Sequence, residues 1–237
     1  MTLPVVVLAG GLATRLGKIT EEKPKSLIGI NGIPFVLHQL KLFQKNGIEH
    51  VHYCLGYLGN MVEEAVQDSG LSAEMKITYS YDGDKLLGTG GAIKNALFML
   101  PEVFFIIYGD SFLDIDYQSV EKYYYEFSNE SYGLMTVYKN SNRFDTSNVI
   151  FKKNRIALYS KKLLSSRMKY IDYGLGILRK FHFNATPDKK PFDLSEIYEK
   201  LSLNGELLGY ETENRFYEIG SLKGIEDLSA YLIKSLK

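Results

Sequence analysis

The residues best equipped for chemistry near the start of this chain are basic side chains set behind a pair of glycines. Val5-Val6-Val7-Leu8-Ala9 runs into Gly10-Gly11, then come Thr14 and Arg15, and Lys25 follows within Lys23-Pro24-Lys25-Ser26-Leu27. Glycines at the end of an apolar run let the backbone turn sharply and approach a ligand with no side chain in the way. Successive amide N–H groups in such a turn make a concave anion site. Arg15 adds a planar fork and Lys25 a point charge, the two side chains best suited to phosphate oxygens. A second stretch, Leu86-Leu87-Gly88-Thr89-Gly90-Gly91-Ala92-Ile93, sets bare amides before a helix whose N-terminus attracts anions. By itself it reads more readily as a flexible turn into a helix. Asp110, in Gly109-Asp110-Ser111, directly follows the apolar run Val103–Tyr108. A carboxylate there sits at the ligand-bearing edge of a parallel sheet, or else caps a turn or helix.

The elements that position these residues follow from periodicity. Val5–Ala9 and Val103–Tyr108 are uninterrupted apolar runs, as in strands buried on both faces. Phe35, Leu37, Leu40, Leu42 and Phe43 form a helical stripe that stops near Asn46-Gly47. A strand over 48–55, a helix over 58–66, a strand over 75–81 and a helix over 92–100 continue a β-α-β rhythm. That rhythm predicts an α/β fold: a mostly parallel central sheet with helices on both faces. Farther on, the spacing predicts a helix over 121–127, a strand over 132–139 and a hairpin over 148–159. Then come a glycine-interrupted strand over 169–178, a helix opened by Asp193, last strands within 205–221 and a final helix from 222. No linker, repeat or low-complexity tract divides the chain, so residues 1–237 are expected to form a single domain.

Composition narrows the partners. The 28 basic and 28 acidic side chains cancel, so no general attraction to nucleic acid or to an anionic membrane is expected, and phosphate affinity must be local. There is no apolar run long enough for a membrane span and no leader ahead of the first strand, which makes the cytoplasm the expected compartment. The lone cysteine, Cys54, sits in the apolar run Val51–Leu55 and reads as a small buried hydrophobe. None of the four histidines falls in a recognisable motif. The dinucleotide fingerprint and the P-loop pattern are both absent, which disfavours a nicotinamide-dependent oxidoreductase.

The full opening string, L-A-G-G-x-x-T-R-L followed after a spacer by P-K-x-L, resembles the signature of the sugar-1-phosphate nucleotidyltransferases, or NDP-sugar pyrophosphorylases. That family usually carries glycine where this chain has Ala13, and proline where it has Ser26. The resemblance extends over nearly the whole chain and implies a Rossmann-like three-layer α/β/α fold with a small β excursion for the sugar. It implies a reaction in which an NTP and a sugar 1-phosphate give NDP-sugar and pyrophosphate, with Mg2+ as cofactor. The implied catalytic residues are Arg15, Lys25 and Asp110, and the implied metal ligands Asp110 and Glu218, where relatives usually have aspartate. Leu8, Ala9, Gly10, Gly11, Thr14, Arg15, Asp82, Gly88 and Thr89 would bind the nucleotide. Asp82 occupies a place where relatives often carry an acid that faces the base, although a solvated turn aspartate fits it as well.

On the acceptor side, Lys25, Asn148, Lys161, Asp172 and Gly174 would bind the sugar 1-phosphate. Lys161 falls near a lysine that contacts the sugar phosphate in relatives, without their E-K-P context, and also fits a surface lysine. Asp172 is a ready acceptor for sugar hydroxyls or a structural group. Glycine within a strand marks close approach of a ligand or backbone, which suits Gly174. The short chain, L-L-G-T-G-G-A-I and I-D-Y-G-L look most like the heptose-1-phosphate guanylyltransferase type, which implies GTP and D-glycero-α-D-manno-heptose 1-phosphate as substrates. Uridylyl or other transfer to a mannose or N-acetylmuramate 1-phosphate, and a non-catalytic nucleotide-sugar binder, are the alternatives. A homodimer is left open.

Overall fold

The computed structural model describes residues 2–11, 23–129, 132–186 and 190–235. The opening apolar run forms β1 (Val5–Ala9). Val5 and Val7 join the core on one side of the sheet and Val6 and Leu8 the core on the other. Burying each such side chain is worth roughly 1.5–3 kcal/mol, so a strand covered on both faces anchors everything around it. A hairpin of β2 (Gly29–Ile30) and β3 (Ile33–Pro34) leads into α1 (Phe35–Lys45). The helix ends at Asn46, with Gly47 turning the chain at φ 72°. β4 (His50–Leu55), α2 (Gly59–Asp68), β5 (Lys76–Tyr81), α3 (Gly88–Ala96) and β6 (Val103–Tyr108) follow. The strands of this half stand in the order β5-β4-β1-β6, each pair parallel. Helices between successive strands supply the crossovers that parallel pairing needs.

The second half departs from the expected mostly parallel sheet. After β7 (Ser111–Phe112), α4 (Tyr117–Phe127) begins at Asp116, whose carboxylate accepts from Ser119 N at 3.1 Å. β8 (Gly133–Lys139) is followed by a hairpin of β9 (Val149–Lys152) and β10 (Arg155–Tyr159), which turns on Lys153 and Asn154 at φ 46° and 65°. β11 (Tyr170–Arg179) then returns between β6 and β8, antiparallel to both. α5 (Ser195–Leu203) carries the chain to β12 (Leu207–Thr212), parallel to β8. β13 (Tyr217–Glu218) pairs with β7 outside the main sheet, and α6 (Leu222–Ser235) ends the described chain. The nine-stranded order β5-β4-β1-β6-β11-β8-β12-β10-β9 is therefore mixed. The reason is the connection: between β8 and β11 there is a hairpin and no crossover helix, so the returning strand meets its neighbours antiparallel.

Helices α1, α2 and α4 pack on one face of the sheet and α3 and α5 on the other, giving the expected three layers. A smaller core, with Ile30, Phe35, Phe112, Ile219 and Leu228, seats α6 against the β7–β13 pair. Among the described residues no helix is long and apolar enough to cross a membrane.

Candidate active site

The carboxyl ends of β1, β4, β5 and β6 meet at one edge of the parallel half, and a cleft of about 230 Å³ opens there. This is the edge at which open α/β sheets bind ligands. Leu8, Ala9, Gly10, Gly11, Lys25, Asp82, Gly88, Thr89 and Asp110 all line it. Thr14 and Arg15 lie outside the described residues.

Glycine makes the wall possible in two different ways. A Cβ on Gly56 would stand 2.5 Å from Gly10 O, and one on Gly109 2.9 Å from Ala9 Cα, so these strand ends touch backbone to backbone. Among the described residues nothing lies within 4 Å of where a Gly11 Cβ would be, and Gly11 lines the cleft. Asp82 closes the far side. Its Oδ2 accepts from Leu87 N at 3.1 Å, and burial raises its carboxyl against the opposing effect of that bond.

The Leu87–Gly91 stretch is the first turn of α3 itself, ahead of the expected start at Ala92. Its amides are not all bare. Gly90 N and Gly91 N donate to Phe192 O at 3.0 and 3.3 Å, and Phe192 N donates to Leu87 O at 3.0 Å. A Cβ on Gly90 would fall 2.1 Å from the Phe192 ring, and one on Gly88, at φ 71°, 2.6 Å from Phe192 O. Two of the three glycines therefore admit a protein segment as well as bordering the cleft.

Lys25, on the helical turn Lys25–Leu27, places Nζ 2.6 Å from Asp110 Oδ2. Glu218 stands beside them because β13 pairs with β7 in a register that sets Glu218 opposite Ser111, and Ile219 N donates to Asp110 O at 3.0 Å. Lys25 Nζ and Glu218 Oε1 lie 3.3 and 3.8 Å from the point where a Gly220 Cβ would sit. Lys25 thus meets Glu218 around an absent side chain and pairs with Asp110. Next to Lys25, Ser26 is buried and its hydroxyl has no partner among the described residues.

Of the acceptor-side residues Lys25 lines this cleft, whereas Asn148, Lys161, Asp172 and Gly174 gather separately and do not. Asn148 Oδ1 accepts from Asp172 N at 3.0 Å, and Asp172 Oδ1 accepts from Gly174 N at 3.0 Å. Gly174 has φ 105° at a bulge, where the β11–β8 register shifts, and its Cβ would face Ser111 Oγ at 3.7 Å and Tyr108 at 3.9 Å. Burial raises Asp172 to about 6, against the Lys161 charge and the Gly174 N–H. Lys161 Nζ lies 6.0 Å from the centre of the Tyr108 ring and 3.4 Å from Asp193 Oδ1. Burial pulls Asp193 upward, but the Ser195 hydroxyl and N–H, together with Lys161, hold it below its ordinary value. The Tyr108 and Tyr159 hydroxyls are buried within the field of Asp172 and have no partner among the described residues.

Tyr108 joins the two regions, since it also borders the cleft. Sequence reasoning missed it because it sits inside an apolar run, and missed Asp193 because an acid ahead of a helix reads as a cap. Cys54 is buried as expected but borders the cleft too, and burial pushes its thiol up to about 12.

Residues 4–145 match the nucleotidyl transferase family. The chain is 30% identical to the D-glycero-alpha-D-manno-heptose 1-phosphate guanylyltransferase of Campylobacter jejuni, over 84% of this chain and 88% of that protein. It is 28% identical to the protein of the same name from Aneurinibacillus thermoaerophilus, over 92% of this chain and 93% of that one. Its fold is shared with HddC from Yersinia pseudotuberculosis complexed with GMP-PN, at a TM-score of 0.78 and 23% identity, covering 97% of this chain and 99% of that chain. A family match over more than half the chain, together with full-length relatives, makes this chain a member of the nucleotidyl transferase family.

Proposed function

We propose that the chain joins GTP to a sugar 1-phosphate, with D-glycero-α-D-manno-heptose 1-phosphate as the acceptor, to give the GDP-sugar and pyrophosphate. The pairing of Lys25 with Asp110 in the lining of the glycine-walled cleft, with Glu218 close to Lys25, is the observation that carries this reading. The named relatives from Campylobacter jejuni and Aneurinibacillus thermoaerophilus support the choice of base and sugar.

In the reaction an oxygen of the sugar phosphate bonds to the α-phosphorus while the bond from that phosphorus to the β-phosphate bridging oxygen breaks. Both partners are anionic, so positioning and charge neutralisation do the catalytic work, without a protein nucleophile. Lys25 exchanges Asp110 for the sugar phosphate and α-phosphate oxygens and holds them together. Arg15, in the segment outside the described residues, is assigned to the triphosphate and the departing pyrophosphate. Gly10 and Gly11 bring backbone to the phosphates, and Asp82 accepts from the exocyclic amine of guanine. Asp172 and Lys161 hold the sugar and its phosphate, with Asn148 fixing the Asp172 backbone and the Gly174 N–H fixing its carboxylate.

Magnesium fits the two carboxylates. It is held by one or two carboxylates plus phosphate oxygens and water, and no group of three or more His, Cys, Asp or Glu forms a cage among the described residues. Asp110 and Glu218 would hold it, and when bound it would neutralise charge on the α-phosphate.

Pyrophosphate release, measured with GTP, UTP, CTP, dTTP and ATP crossed against a panel of sugar 1-phosphates, tests the proposal. The expected productive pair is GTP with the heptose 1-phosphate. A different productive pair replaces the base or the sugar, and silence with nucleotide binding intact replaces catalysis by binding.

A further inference from the structure

We propose that Asp193 is a positioning residue for Lys161, and that the segment carrying it couples this acceptor lysine to the glycine-rich loop at the nucleotide cleft. The inference rests on the function proposed above for those two regions.

The segment is tied to the loop on both sides of Asp193. Phe192 exchanges backbone hydrogen bonds with Leu87 and with Gly90 and Gly91, at 3.0 to 3.3 Å. Leu194 N donates to Thr89 Oγ1 at 2.8 Å. The Gly90 and Gly88 contacts with Phe192 leave no slack, because any Cβ there would overlap it. Asp193 is thus held between two anchored residues, and Ser195 N donates to its Oδ1 at 2.8 Å. That same oxygen lies 3.4 Å from Lys161 Nζ.

Lys161 needs such a hold. Its side chain is 44% exposed, a flexible stem carrying a strongly hydrated point charge. An ion pair this exposed contributes little to stability. Its effect is on where the ammonium sits: near the Tyr108 ring, at the junction of the two regions, and not free in solvent. Because the Gly88–Gly91 turn and the 192–194 segment are bonded as one unit, a shift of the turn on nucleotide binding displaces Asp193. Lys161 follows. Occupation of one subsite is then felt at the other, without direct contact between the substrates.

Asp193→Asn keeps the shape and the acceptor for Ser195 N but removes the charge. It is expected to raise the KM for the sugar 1-phosphate about tenfold while kcat and the nucleotide Kd change by less than about twofold. Asp193→Glu should recover part of the loss, and Asp193→Asn should add nothing in a Lys161→Met background. Acylation of Lys161 by an amine-directed reagent, followed by mass spectrometry of the intact folded protein, reads the pairing without turnover. Labelling should accelerate about threefold in Asp193→Asn, as expected for a flexible side chain no longer held against a carboxylate. GTP should alter the labelling rate in the unmodified protein and not in Asp193→Asn.

An unchanged acceptor KM, an effect that persists undiminished in Lys161→Met, or unchanged labelling overturns the positioning role. An equal GTP response in both proteins overturns the coupling. If the unmodified protein turns over no nucleotide and sugar pair, the function proposed above fails, while the labelling still decides whether Asp193 governs Lys161.

Discussion

The cleft proposed for the nucleotide and the cluster proposed for the acceptor share Tyr108 but are made of different material. The cleft wall is mostly backbone: Gly10 against Gly56, Ala9 against Gly109, and the first turn of α3 against Phe192. The acceptor cluster is mostly side chain, with Asp172, Lys161, Asp193 and two buried tyrosine hydroxyls brought together by the antiparallel return of β11. Backbone held by a sheet edge cannot change protonation and moves little, so the cleft should respond to added volume. Side chains in a half-buried cluster carry charge that depends on pH and on neighbours, so the acceptor side should respond to titration. Lys25 and Asp110, paired at 2.6 Å, line the cleft, and the function proposed above uses them toward both substrates.

The largest effect is expected where the regions meet. Lys25→Ala should lower kcat by at least about two orders of magnitude, as loss of a transition-state charge contact does. Turnover near normal would remove Lys25 from the reaction and leave its bond to Asp110 as a structural ion pair. Glu218→Gln should raise the magnesium concentration needed for half-maximal pyrophosphate release about tenfold, the scale seen when a metal site loses a supporting group. An unchanged titration would move the second ligand elsewhere.

On the cleft side, Gly88→Ala tests whether the wall is as tightly built as the contacts indicate. The added Cβ falls on the Phe192 carbonyl, and φ is 71° there. A loss of about 1–3 kcal/mol is expected from overpacking and backbone strain together, read as a lower urea midpoint at unchanged slope. A midpoint within error of the unmodified protein would mean that the loop and Phe192 separate at little cost.

On the acceptor side, the prediction concerns pH. Burial lifts Asp172 to about 6, with Lys161 and Gly174 N–H opposing it. An acid raised above its unfolded value, about 4, binds its proton more tightly in the folded state. Its contribution therefore favours folding at low pH and is lost as pH rises from about 4 to about 6. Sugar binding has the opposite sign, because the carboxylate accepts from hydroxyls and the protonated group has lost that capacity on one oxygen. The KM for the sugar 1-phosphate should rise several-fold as pH falls through about 6, and Asp172→Asn should flatten the curve. A profile with the same inflection in Asp172→Asn would assign it to another group.

These contrasts also account for what was legible in the sequence. Gly10, Gly11 and Asp110 announce themselves because each closely follows a buried strand, where chain order and spatial order agree. Asp82 directly follows the half-exposed strand β5, and the structure gathers it with Lys25, Gly88, Thr89 and the others along one cleft. The mixed sheet was hidden because β11 enters beside β6 across a gap in sequence. The hairpin over 148–159, with no helix between strands 133–139 and 170–179, was the available signal for an antiparallel return. Glu218 reaches Asp110 through a two-residue pairing, and Asp193 reaches Lys161 from a position 32 residues away, so neither contact leaves a local trace. The glycines of the α3 turn did point to close approach, but not to Phe192 as the partner.

The smallest expected effect is also the most discriminating for the cleft. Gly11 and Gly88 belong to the same lining, yet among the described residues nothing lies within 4 Å of a Cβ at Gly11 and its φ lies outside the left-handed region, whereas Phe192 O fills that place at Gly88. Gly11→Ala should therefore leave stability within about 0.5 kcal/mol of the unmodified protein. A methyl group projecting into the open side of the cleft should instead weaken the nucleotide, since the close backbone approach is what the missing side chain permits. Urea denaturation and nucleotide titration on the same variant separate the two consequences. Lost binding with stability retained means that Gly11 is kept open for a ligand and Gly88 for the fold. If both measurements are unmoved, the nucleotide does not approach the chain at Gly11, and the wall formed by Asp82 and Thr89 becomes the place to look for it.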